Sequence, residues 1–286
     1  MNSEIYYFTG TGNSLHVAKE LQKRMPDTKL IPIISVLKEG AVRTSAENVG
    51  FVFPIYMMDL PIPVKQFLNK VDTGSAQYIF AAATRVSTFY IADIHIEKAL
   101  RKQNKKLDSF FVVNMAANSP CGLAPKSMPG FKKMINDWTN KITIEKVNLL
   151  EPAVQDRLQL VSQKVINRER HKDERSALQS FLKRTVSLII TPLNRANGIK
   201  PIIPYFADST CNGCEKCERI CPSGRVKMRD HKPEWQMNVP CYYCYACFNV
   251  CPEQAILIKR RYEKKEGRYL YPGIGVKEIS GQKGSK

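Results

Sequence analysis

Eight of the nine cysteines in this 286-residue chain lie between positions 211 and 251, in two runs that coincide at an offset of thirty residues. The first is Cys211, Cys214, Cys217 and Cys221 followed by Pro222; the second is Cys241, Cys244, Cys247 and Cys251 followed by Pro252. Both spell C-x2-C-x2-C-x3-C-P, the spacing of a duplicated unit that binds two cubane iron–sulfur clusters. Three closely spaced thiolates can wrap three irons of one cubane, while the fourth, followed by a proline that turns the chain, reaches across to the other. Cys211, Cys214, Cys217 and Cys251 are therefore expected to hold one [4Fe-4S] cluster, and Cys241, Cys244, Cys247 and Cys221 the second. Structural zinc sites also use C-x2-C pairs, but they take four tetrahedral ligands and seldom come as triplets with a trailing Cys-Pro. Such density of thiols points to metal ligation in a reducing compartment, not to disulfides.

After each Cys-Pro the chain continues alike, as Ser-Gly-Arg-Val-Lys-Met and Glu-Gln-Ala-Ile-Leu-Ile, so each half is predicted to close with a short strand. In its eight cysteines and two prolines the segment from Pro204 to Lys259 resembles the bacterial 2[4Fe-4S] ferredoxin domain, a small α+β fold. The loop Lys227–Val239 is only loosely constrained by that likeness.

At the other end, Ile5–Phe8 is a short apolar strand and Leu15–Met25 has helical spacing, with Thr9, Gly10, Thr11, Gly12, Asn13 and Ser14 between them. Glycines let backbone N–H groups converge on an anion, hydroxyls add donors, and a helix N-terminus favours negative charge, so the loop suits a phosphate. A plain glycine-rich turn with a helix cap is the alternative. Neither G-x-x-x-x-G-K-[ST] nor G-x-G-x-x-G occurs, which argues against a nucleoside triphosphate and the usual dinucleotide fingerprint.

This loop resembles the FMN phosphate-binding loop of flavodoxins. Together with the cysteine runs, the arrangement resembles the flavodoxin–ferredoxin fusion proteins of the EFR1 family. The resemblance implies an α/β domain with a flavodoxin-like, doubly wound, five-stranded parallel sheet, followed by the dicluster domain. It places Pro54, Ile55, Tyr56 and Met57 in the loop that lies against the isoalloxazine ring, with Tyr56 and Met57 as ring neighbours, and Thr84 at the next strand end. In Thr84–Tyr90 the glycines usual in flavin-binding relatives are missing. Lys106–Val113 is read as the fifth strand, and 114–150 as an insertion toward the ligand edge. Cys121, inside it, either approaches the flavin or is an inert packed thiol.

The expected domain order is a flavodoxin-like unit over 1–175, a helix and linker over 176–203, the dicluster domain over 204–260 and a basic tail over 261–286. Helical periodicity marks Gln155–Arg170 and Ser176–Ile190. After Ile258 the chain has nine Lys or Arg against three Glu, and the tail is read as a flexible extension, with partner docking as a weaker reading. The formal charge of +18 falls to roughly +12 once two cluster cores with their thiolates and a flavin phosphate are counted. That field favours an acidic redox partner such as a ferredoxin or flavodoxin. No apolar run is long enough to span a bilayer and no signal peptide is seen, so a cytoplasmic protein is expected. The resemblance implies an electron-transfer flavoprotein. Two alternatives stand beside it: a flavin-dependent reductase of an organic substrate, and a redox-sensing nucleic-acid-binding module, for which no specific motif is present.

Overall fold

The structure, a computed structural model, describes residues 2–56, 58–86, 90–118, 144–173 and 203–284, together with 185 and 188. Met57, Ser87–Phe89, Cys121 with most of the expected insertion, the linker over 191–202, and Ser176–Ile190 apart from 185 and 188 lie outside the described residues.

Six parallel strands form the central sheet: β1 (Ser3–Tyr7), β2 (Thr28–Pro32), β3 (Asn48–Pro54), β4 (Tyr78–Arg85), β5 (Ser109–Asn114) and β6 (His171–Lys172), in the order β2-β1-β3-β4-β5-β6. The first five follow the doubly wound pattern, with the order reversing at β1, so the crevice for a ligand lies beyond the carboxyl ends of β1 and β3. Strands β3 and β4 are buried along both faces, which explains their near-continuous apolar sequence. Gly50 in β3 is register partner to Phe80, and a Cβ there would lie 2.4 Å from Phe80 Cζ; the glycine makes room for the ring. Helices α1 (Asn13–Arg24), α2 (Ile62–Leu68), α3 (Ala92–Arg101) and α4 (Ile144–Ile166) accompany the sheet. Helix α1 buries Leu15, Val17, Ala18 and Leu21, the stripe read from the sequence.

Two expectations shift. The fifth strand starts at Ser109, and a sixth, two residues long, pairs Ser109 with His171 and Phe110 with Lys172. Its anchor is Ser109, whose hydroxyl donates to Glu169 O (2.9 Å) and accepts from His171 N (2.7 Å). Helix α4 begins at Ile144, well before Gln155 and inside the range expected as an insertion, and carries Pro152 internally.

The cysteine-bearing part is built twice over. Helices α5 (Lys216–Ile220) and α6 (Ala246–Val250) each begin after a left-handed residue, Glu215 (φ 60°) and Tyr245 (φ 55°), and each end at the cysteine before proline. After the first Cys-Pro comes a hairpin of β8 (Val226–Arg229) and β9 (Lys232–Trp235). After the second comes β10 (Ile256–Ile258), which pairs antiparallel with β7 (Tyr205–Ala207).

The tail is not a loose extension. Tyr262, Tyr269, Tyr271, Ile274 and Ile279 are buried in the same apolar cluster as the sheet, and a last helix, α7 (Val276–Gly281), follows. Lys259, Arg260, Lys264, Lys265 and Lys277 are exposed while these apolar residues bury; side-chain burial outweighs the charge that made the segment read as solvated.

Candidate cluster sites and the phosphate-type loop

The eight cysteines line two cavities. One is bounded by Cys211, Cys214, Cys217 and Cys251 with Met228, Pro233 and Ile256. The other is bounded by Cys221, Cys241, Cys244 and Cys247 with Tyr205, Trp235 and Tyr245. In each, three thiols come from one run and the fourth, the one before proline, from the other run. All eight are unbridged. The two-residue gaps turn each run around its cavity, and the short helix after the second cysteine carries the third inward and the fourth toward the opposite cavity.

Burial raises four of the thiols above the ordinary range, Cys217, Cys241, Cys244 and Cys247. Burial, with Cys214 and Cys251 adding to it, pushes Cys217 up to about 12. Burial, with Cys221 adding to it, pushes Cys241 up to about 11. Cys244 and Cys247 are raised as well, first by burial and then by the other cysteines of their own set. Thiols gathered around one cavity oppose one another's ionisation, and positive charge bound inside the cavity would stabilise the thiolate form. Backbone donors already reach sulfur, as Ala255 N does to Cys251 Sγ at 3.3 Å.

The loop from Thr9 to Ser14 closes β1 onto α1. Thr9, Thr11 and Ser14 are at most 2% exposed. Gly12 takes φ 103°, a left-handed conformation that L side chains rarely adopt, and its N–H donates to Thr9 Oγ1 (3.1 Å). The tail holds the outside of this loop. Tyr271 N donates to Thr11 O (2.8 Å), Gln282 Nε2 to Thr9 O (2.9 Å), and Thr9 N to Gln282 Oε1 (3.3 Å). Tyr271 stacks on His16 of α1 with centroids 4.2 Å apart, and its hydroxyl donates to Glu151 of α4. Loop carbonyls are thus satisfied from behind, whereas among the described residues no acceptor meets the N–H groups of Gly10, Thr11, Asn13 and Ser14. Ser14 Oγ lies 2.8 Å from Thr84 Oγ1. Backbone N–H groups without an acceptor among the described residues, the hydroxyls of Ser14 and Thr84 and the start of α1 are the donor types that an anion takes.

Of the expected ring-side residues, Pro54 is register partner to Thr84, and Ile55 N donates to Thr84 O (2.9 Å). Tyr56 lies beside the loop. Its hydroxyl abuts Gly10, where a Cβ would lie 2.3 Å from it and 2.7 Å from Cys244 O. Burial, then the nearby Cys244, holds its phenol well above the usual range. The loop and the second cysteine cavity therefore share a wall: Gly10 on one side, Cys244 on the other.

A run of hydrogen bonds ties this wall together. Tyr269 Oη donates to Asn13 Oδ1 (2.7 Å) and Tyr269 N to Asn249 Oδ1 (3.1 Å). Asn249 Nδ2 donates to Asn118 O (2.9 Å), and Asn118 Nδ2 to Cys244 O (3.2 Å). Asn13 Nδ2 donates to Ala116 O (2.9 Å). None of Asn118, Asn249, Tyr269 or Gln282 stands out in the sequence, where nothing marks a polar residue that pairs more than a hundred positions away.

Residues 210–256 match the family described as 4Fe-4S dicluster domain. Over 49 residues the chain is 37% identical to a subunit of the ion-translocating oxidoreductase complex of Methanosarcina acetivorans, which is 17% of this chain and 18% of that protein. The chain thus spans less than a fifth of that relative's length. A solved structure of a putative flavoprotein from Bacteroides uniformis aligns with 41% of this chain and 92% of its own at 16% identity and a TM-score of 0.29. The chain carries a ferredoxin-type 4Fe-4S dicluster domain, and with it the equipment for iron–sulfur electron transfer. Among the described residues no helix is long and apolar enough to cross a membrane.

Proposed function

We propose that this chain is an iron–sulfur flavoprotein of the flavodoxin–ferredoxin fusion type, the EFR1 family, working in the cytoplasm with a redox-protein partner. When bound, two [4Fe-4S] clusters would supply one-electron exchange and FMN the coupling of one-electron to two-electron chemistry. Cys211, Cys214, Cys217 and Cys251 would hold the first cluster, and Cys221, Cys241, Cys244 and Cys247 the second. The loop from Thr9 to Ser14 would hold the flavin phosphate, with Pro54, Ile55 and Thr84 at the adjoining strand ends.

The observation that carries the reading is the shared wall between Gly10 and Cys244, which sets the phosphate-type loop against the second cysteine cavity. The chain's own contribution is positional. Gln282 and Tyr271 fix the loop's carbonyl side, leaving its N–H groups to an anion, and Asn118 and Asn249 hold Cys244 in register with the loop. Burial of the loop excludes water and strengthens each charge-assisted bond.

FMN titrated into the anaerobically prepared protein is expected to lose its fluorescence with one site per chain. Thr11→Ala and Ser14→Ala should each weaken binding by about tenfold, the cost of one hydrogen bond to a charged group. Quenching that is absent, or unaffected by either change, contradicts flavin binding at this loop.

A further inference from the structure

A second opening reaches the second cysteine cavity from outside. An open cleft of about 560 Å³ is lined on one side by Ile34, Leu37, Lys38, Gln66, Asn69 and Lys70 of the α/β unit and on the other by Pro222, Ser223 and Tyr242. Pro222, Ser223 and Tyr242 also line the cavity of Cys221, Cys241, Cys244 and Cys247, so the wall between cleft and cavity is one residue thick. Ser223 Oγ lies 3.6 Å from Cys221 Sγ.

The charge of this cleft has one sign. Lys38 and Lys70 are exposed, no Asp or Glu is among the described residues that line it, and both ammonium groups bond only backbone carbonyls: Lys38 that of Lys283, and Lys70 that of Leu37 at 3.1 Å. The half-buried Lys283 reaches the same corner, with its amine 3.5 Å from Glu218 O. Between the cations lie the apolar side chains of Ile34, Leu37, Pro222 and Tyr242. An apolar centre with a cationic rim, broad and shallow, is the pattern of a protein interface; a small-molecule site would be enclosed, with polar groups converging on one point.

We propose that this cleft is the docking site of an acidic redox protein, a small negatively charged ferredoxin or flavodoxin whose carboxylates meet Lys38 and Lys70 while its reactive edge rests on Pro222 and Tyr242. Charge complementarity selects the occupant: a second copy of this chain would bring its own strongly positive charge, formally +18 before any cluster is counted, against the same lysines. The inference rests on the reading that the four cysteines behind the wall hold a cluster.

The test is calorimetric titration of the iron-loaded chain with a small acidic bacterial ferredoxin and, separately, an acidic flavodoxin, at low and high ionic strength. Binding of at least one is expected, weakening with salt. The double variant Lys38→Glu with Lys70→Glu should bind at least tenfold more weakly, whereas Lys106→Glu, a control on the cleft at the opposite end of the sheet, should stay within about twofold. Equal losses in the two variants, or no binding of either protein by the parent chain, overturn the proposal. Iron and sulfide are assayed on every sample: a parent chain without them fails the cluster reading whatever its affinity, and a double variant with full iron but unchanged affinity fails the docking site alone.

Discussion

The two cysteine runs have the same spacing and opposite surroundings. In the first, the residues between ligands are Asn212, Gly213, Glu215 and Lys216, and Cys211 and Cys214 are only half-buried. In the second they are Tyr242, Tyr243, Tyr245 and Ala246, and Cys244 and Cys247 are buried. Tyr242 sets its ring edge-on to Phe8 at 6.3 Å, and Cys244 meets Gly10, so the second cavity faces the α/β unit while the first faces solvent. The cysteines specify what is bound, and the residues between them specify where the bound group sits. A duplicated domain thereby acquires an outer and an inner site from one motif.

The largest effect should separate the two sites. Cys211→Ser and Cys244→Ser are each expected to cut bound iron from about eight to about four per chain. Only Cys244→Ser should also lower the melting temperature of the α/β unit, because losing the group in the inner cavity loosens the backbone at Cys244 that packs on Gly10 and bonds Asn118. Equal melting shifts in the two variants would erase the distinction between inner and outer sites.

Next in size is the wall itself. Gly10→Ala puts a Cβ 2.3 Å from Tyr56 Oη and 2.7 Å from Cys244 O, so one side must move. Denaturant titration should show a loss of about 1–3 kcal/mol, the usual cost of overpacking. The matching change on the outer face, Glu215→Gly, relieves a left-handed residue and should cost nothing measurable.

The smallest effect concerns charge. Arg268 lies 3.6 Å over the Phe248 ring and donates to Ile256 O (3.1 Å), on the wall of the first cavity. Burial lowers its pKa to about 10, which leaves it cationic at neutral pH. A cation there favours the reduced, more negative cluster, so Arg268→Gln should lower the potential of the outer cluster and leave the inner one unchanged. A tenfold shift in the oxidised-to-reduced ratio corresponds to about 59 mV for a one-electron couple. Redox titration followed by electron paramagnetic resonance distinguishes the two.

What is legible from sequence is what repeats or alternates. The C-x2-C-x2-C-x3-C-P runs lead to two quartets of cysteines, and the apolar strands of Asn48–Pro54 and Tyr78–Arg85 with the helix after Gly12 lead to the doubly wound sheet. The tail reads as solvated because the nine basic residues after Ile258 hide a sparse apolar set, Tyr262, Tyr269, Tyr271, Ile274 and Ile279, with no single period. The hairpin after Arg229 turns on Asp230 and His231, both left-handed, where Asn-Gly would have announced itself. The sixth strand is two residues long and exists only because Ser109 offers its hydroxyl. Side-chain amides such as Asn118 and Asn249 act across the fold, and local sequence carries no mark of that.

Two clusters held by these eight cysteines, one of them against the phosphate-type loop, are the foundation on which the other functional assignments stand. Iron, acid-labile sulfide and zinc measured together on anaerobically purified protein test this most directly. About eight irons and eight sulfides per chain, with no zinc, is the predicted result. Zinc in their place, or eight freely titrating thiols with no iron after reconstitution, would contradict it.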